Sequence, residues 1–99
     1  MTQTLDISFE GKGEVKGFLF TQVVKGEKSY IYEVKFNNSR HYEVFKRKET
    51  PLLVDFEKRL YSETEFKEMY PKAKDFGVWA WSFLNKENAI EKFNLLNNN

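Results

Sequence analysis

Tyr30-Ile-Tyr-Glu-Val-Lys-Phe-Asn-Asn-Ser-Arg-His-Tyr-Glu-Val-Phe-Lys46 sets the architecture of this chain. Tyr30, Tyr32, Val34 and Phe36 alternate with Ile31, Glu33 and Lys35, the period of a strand whose two faces meet different surroundings. Asn37-Asn38-Ser39 is a polar connection of hairpin length. Residues 40–47 then resume the alternation. Tyr42 and Val44 fall on one face, and His41, Glu43 and Phe45 on the other. An antiparallel hairpin is the expected result.

Upstream, residues 4–10 alternate with Leu5, Ile7 and Phe9 facing one way, and Gly11-Lys12-Gly13 signals a turn. Residues 14–25 are rich in Val and Phe. Phe18, Phe20 and Val24 share a face if the strand is unbroken, and Gly17 is the candidate bulge. Lys25-Gly26-Glu27-Lys28 reads as a hairpin turn. Downstream, Thr50-Pro51 has the form of an N-cap followed by proline at the first helical position. Leu52, Leu53, Phe56 and Leu60 fall at helical spacing, so residues 51–60 are expected to be helix. Ser62-Glu63-Thr64-Glu65 resembles a capping box, but Pro71 would break a helix that followed. Residues 63–70 therefore stay open between helix and strand. Residues 78–84 read as a buried strand with Trp79, Trp81 and Phe83 on one face. Ala80 and Ser82 on the other face leave room for a helix. Asn85 is placed to cap a final helix over 86–96 with Ala89, Ile90, Phe93 and Leu96 as its apolar stripe, and Asn97-Asn98-Asn99 as a frayed end. The fold expected is α+β in a single domain over residues 1–99. An antiparallel β-meander of four to five strands is covered on one face by the C-terminal helix and a central helical insertion.

Seventeen aromatic residues in a chain of 99 are enough for a core without metal or disulfide. With no cysteine, a thiolate zinc site is excluded. The N-terminus has no basic segment followed by an apolar run, and no apolar run approaches the ~18 residues of a membrane span. A cytoplasmic protein with no membrane association is expected. The formal charge of +1 gives no bulk attraction to nucleic acid.

No residue set specific to one chemistry is present, so no catalytic residue, metal site or cofactor is assigned. His41, the only histidine, has no partner of the same kind for a metal or acid–base pair. Acidic-x-Lys triplets at Glu10/Lys12, Glu14/Lys16, Glu33/Lys35 and Glu65/Lys67 have the spacing of a metal-dependent nuclease. Their number in so charged a chain reads instead as alternating charge on solvated strands. Arg40, Tyr42, Lys46, Arg47 and Lys48 form a basic strand bearing an aromatic, which could track a single-stranded nucleic acid.

Two patches carry a resemblance. Tyr42-Glu-Val-Phe-Lys-Arg-Lys48 is the first. The second runs from Tyr70-Pro71 through Phe76-Gly-Val-Trp-Ala-Trp-Ser-Phe83 to Ala89, Glu91-Lys-Phe-Asn94 and Leu96. Together they resemble a group of small uncharacterised phage and bacterial proteins, whose Tyr-Pro segment precedes an Ala-Trp-Ser/Thr-aromatic strand and a closing helix. The resemblance implies no activity, cofactor or site residue. It implies a phage or mobile-element origin, and so an accessory protein or inhibitor that acts on a host or defence protein. The function expected is a non-enzymatic protein-binding module; the alternative is a single-stranded nucleic-acid-binding domain.

Overall fold

The computed structural model describes residues 2–98. The strands are β1 (Thr2–Gln3), β2 (Ser8–Glu10), β3 (Leu19–Lys25), β4 (Ser29–Phe36), β5 (Ser39–Lys46), β6 (Glu49–Asp55), β7 (Leu60–Glu68) and β8 (Ala80–Phe83), followed by one α-helix, α1 (Lys86–Asn97). Two short 3₁₀ turns occupy Gly13–Val15 and Ala73–Asp75. Five strands form an antiparallel sheet in the order β2-β3-β4-β5-β8, and three form a second sheet in the order β1-β7-β6. No helix among the described residues is long and apolar enough to cross a membrane.

The β4–β5 hairpin forms as the alternation requires. Tyr30 pairs with Phe45 and Phe36 with Ser39, leaving a two-residue turn in which Asn37 takes φ 54°. Asparagine tolerates that left-handed conformation better than most residues. The alternation then sorts the core onto two faces. Tyr30, Tyr32, Val34 and Phe45 join Phe20, Trp79 and Ala80 on one face. Ile31, Tyr42 and Val44 meet Ala89 of α1 on the other. Along β3 the bulge lies between Gln22 and Val24, not at Gly17, and it turns Val24 to the helix face away from Phe20. Of the first apolar trio, Leu5 and Phe9 pack on the core while Ile7 is exposed.

The central helical insertion is absent. Residues 51–60 form β6, a four-residue turn and the start of β7. Pro51 opens no helix; it lies on an edge strand, where a missing N–H is tolerated. The turn forms without glycine or proline. The Asp55 carboxylate accepts from the Lys58 amide, and Arg59 adopts φ 51°. Ser62 does accept from the amides of Thr64 and Glu65, as in a capping box. Those bonds close a bulge in β7 instead, because Leu53 pairs with Tyr61 while Pro51 pairs with Phe66. The open segment 63–70 is strand through Glu68.

The tryptophans also separate. The strand expected over 78–84 is limited to β8, with Val78 and Leu84 exposed. Gly77 at φ 91° and the Asp75 carbonyl, which accepts from both Val78 and Trp79, turn the chain just before β8. Trp79 therefore enters the Tyr30/Phe45 cluster, away from Trp81. Trp81 pairs with Val44 and Phe83 with Tyr42, so these two aromatics face the helix. Ala89 on α1, fully buried, supplies the close approach that Ala80 and Ser82 were expected to give. Lys92 lies 4.0 Å from the Trp81 ring centroid, a cation–π contact.

Asn85 caps α1 by accepting from the Glu87 amide, and the stripe is Ala89, Phe93 and Leu96, with Ile90 exposed. Asn97 is no frayed end. Its carbonyl oxygen accepts from the Lys28 amide at 2.8 Å, and its amide donates to the buried Ser29 hydroxyl. The helix end thus closes on the β3–β4 turn. Gly26 permits this approach, since a Cβ there would lie 2.5 Å from the Phe93 ring. Asn98 is the C-cap; Asn99 lies outside the described residues.

Candidate functional site

The five residues of the nucleic-acid reading do not form one surface. Tyr42 is buried beneath α1 and offers no face for a base. Arg40 and Lys46 stand at opposite ends of β5, about 20 Å apart at ~3.3 Å per residue. Arg40 lies 3.5 Å from Glu33, which also pairs with Lys35. Arg47 is drawn into a buried network, and the Lys48 ammonium sits 5.2 Å over the Trp79 ring. One Glu-x-Lys pair of the nuclease reading is thus engaged in this Glu33–Lys35–Arg40 surface group.

Three other arrangements carry polar chemistry. Glu68, at the end of β7, has a side chain only 4% exposed. It accepts from the Tyr30 hydroxyl at 2.5 Å, the Arg47 Nε at 2.6 Å and the Leu5 amide at 3.2 Å. Arg47 also donates to the Gly26 carbonyl and lies over the Tyr30 ring. Burial alone would push the Glu68 pKa up. The hydrogen bonds from Tyr30, Arg47 and the Leu5 amide, with the Arg47 charge, outweigh burial and hold it below the usual carboxylate value.

The second arrangement is a chain of side chains on the sheet face opposite α1. His41 Nε2 lies 2.9 Å from one oxygen of Glu43, and the Tyr70 hydroxyl donates to the other at 2.7 Å. Burial first, then the Glu43 charge and hydrogen bond, raise the Tyr70 pKa far above that of free tyrosine. Burial and Glu68 do the same to Tyr30. Tyr32 is also raised by burial, with its hydroxyl donating to the Asp6 carbonyl. At neutral pH these hydroxyls are hydrogen-bond donors, not bases.

Their pKa values predict a pH profile. A tyrosine whose folded pKa is raised stabilises fully below its unfolded pKa of 10.0 and loses that contribution as pH climbs above it. Each such tyrosine removes about 1.4 kcal/mol per pH unit there. Glu68, depressed in the folded state, contributes above its unfolded value of 4.5 and loses the contribution as pH falls through its folded value. Urea midpoints across the pH range should fall on both flanks, and the tyrosinate absorbance of Tyr30, Tyr32 and Tyr70 should appear only with unfolding on the alkaline side. Free titration of all the tyrosines in the folded protein would contradict this.

A cleft of about 1110 Å³ opens beside Tyr70. The sheet supplies Phe9, Phe20, Glu43 and Ser82; residues 10–15 and 70–76 form its sides. Neither indole lines it.

The third arrangement is the β6–β7 hairpin. Its two strands pack on each other, and β7 also pairs with β1. It joins the larger sheet through the Glu68 network and through the Met69 amide, which donates to the Lys48 carbonyl. Along this arm Leu53, Val54, Phe56, Leu60 and Tyr61 are exposed, Phe56 at 78% and Val54 at 68%. Of these, Leu53, Phe56 and Leu60 belong to the helical spacing that the sequence shows over residues 51–60. No family model, curated protein or solved structure matches this chain.

Proposed function

We propose that the protein is a non-enzymatic protein-binding module and that the β6–β7 arm is its contact element. The observation that supports this is the exposure of five large apolar side chains on a projecting hairpin. Large apolar side chains gathered on an exposed element are costly in water and mark interaction sites. Phe56 and Tyr61 are the aromatic anchors that such contacts favour.

The chemistry of the arm favours a basic protein partner. Apart from the buried, ion-paired Glu68, residues 49–68 hold five carboxylates and three cations, while the whole chain is +1. Arm-to-arm pairing between two copies would bring like charges together. Pro51 and the bulges on the β6–β7 ladder also blunt its open edge. The finer reading, a phage-type accessory protein or inhibitor of a host or defence protein, rests on the two sequence patches described above.

A photo-crosslinking side chain at position 56 tests the proposal against the same group at position 78, which is comparably exposed on the body of the protein. In bacterial lysate, a discrete adduct from position 56 and none from position 78 is expected. Equal labelling from both positions, or none from 56, would count against the arm. A concentration-dependent dimer that crosslinks through 56 would reassign it to self-association.

A further inference from the structure

We propose that the cleft beside Tyr70 binds a small organic cation with an aromatic or aliphatic body, that is, a hydrophobic amine. The site is separate from the arm, since no residue of 49–68 lines it. Its floor is preorganised. Phe9 and Phe20 stack with centroids 4.9 Å apart and planes within 5°. Tyr70 meets both edge-on, at 5.5 and 5.1 Å. Rings locked this way need no ordering when a flat apolar ligand enters, so little affinity is lost to side-chain entropy.

Glu43 supplies the charge selection. It lies in the wall of this apolar cleft with its side chain 13% exposed. Tyr70 and His41 fix one oxygen each, and together they use two of the roughly four acceptor directions of a carboxylate. A fixed anion next to aromatic faces favours an ammonium group, which is attracted to the carboxylate and to the rings alike. Asp6, Glu10, Glu14, Lys12, Lys72 and Lys74 also line the cleft, but all six are exposed, where solvent screens them, so Glu43 carries the charge selection.

Titration with tryptamine, indole and indole-3-acetate, followed by amide NMR shifts, tests the proposal on the unmodified protein. Tryptamine should bind at least tenfold more tightly than indole-3-acetate and shift the amides of Glu14, Phe76 and Ser82. Glu43→Gln keeps an acceptor for Tyr70 while removing the charge, and should weaken tryptamine at least tenfold with indole unchanged. Equal affinity for amine and acid would overturn the proposal without any variant. So would unaltered tryptamine binding in Glu43→Gln, or no saturable shift with any of the three.

Discussion

Glu68→Ala should lower the unfolding free energy by about 3–5 kcal/mol, because it removes one member of a buried ion pair and leaves the other. Arg47 would keep the Gly26 carbonyl and the Tyr30 ring but lose its carboxylate, and the Tyr30 hydroxyl and Leu5 amide would lose their acceptor. A chain of this length has a total stability of about 5–15 kcal/mol, so the substitution removes a large share of it. The same carboxylate ties β7 to β4, to the end of β5 and to the N-terminal segment. Hydrogen exchange should therefore accelerate in β1 and at the root of β7 before it does in β4. Tyr30→Phe is the milder companion, at about 1 kcal/mol, since Glu68 keeps its other two donors. Urea titrations of the three proteins check the series; a Glu68→Ala loss below that of Tyr30→Phe would contradict it.

Tyr70→Ala should cost about 3–5 kcal/mol, the usual range for deleting a buried aromatic ring. The ring is a keystone. Its centroid lies 4.7 Å from Phe45, 5.1 Å from Phe20, 5.3 Å from Tyr32 and 5.5 Å from Phe9. Edge-to-face pairs of this kind add to the area that the ring buries. Tyr70→Phe keeps the ring and removes only the donor to Glu43, at about 1–2 kcal/mol. It should also flatten the alkaline limb of the stability profile, because one raised tyrosine is gone. Equal losses from the alanine and phenylalanine variants would mean that the hydroxyl, not the ring, holds this face together.

Legibility in the sequence followed the range of the interactions. The β4–β5 hairpin was readable because an alternation over eight residues and a two-Asn turn agree on one register. The closing helix was readable because its cap and its stripe are local. The arm was misread for a physical reason. Leu52, Leu53, Phe56 and Leu60 have helical spacing, which implies a buried stripe, yet Leu53, Phe56 and Leu60 face water. Hydrophobic periodicity presumes that apolar residues are buried, and this arm departs from that rule. Ser62 misled in a related way, since its hydroxyl makes cap-like bonds in a bulge as readily as at a helix start. The polar networks were beyond reach from spacing alone. Glu68 meets Leu5 across 63 positions and Tyr70 meets Glu43 across 27, and only the folded sheet brings them together.

The arm differs energetically from the body that carries it. Surface substitutions such as Leu53→Ser, Phe56→Ser and Leu60→Ser should each change stability by no more than about 0.5 kcal/mol. Paired capture uses that difference, with immobilised wild-type protein and the triple serine variant exposed to the same bacterial lysate. Both must first show the same urea midpoint and near-ultraviolet circular dichroism. Wild type should retain a basic protein that the folded triple variant does not. Retention of the same protein by both, or by neither, would contradict a binding role for the arm.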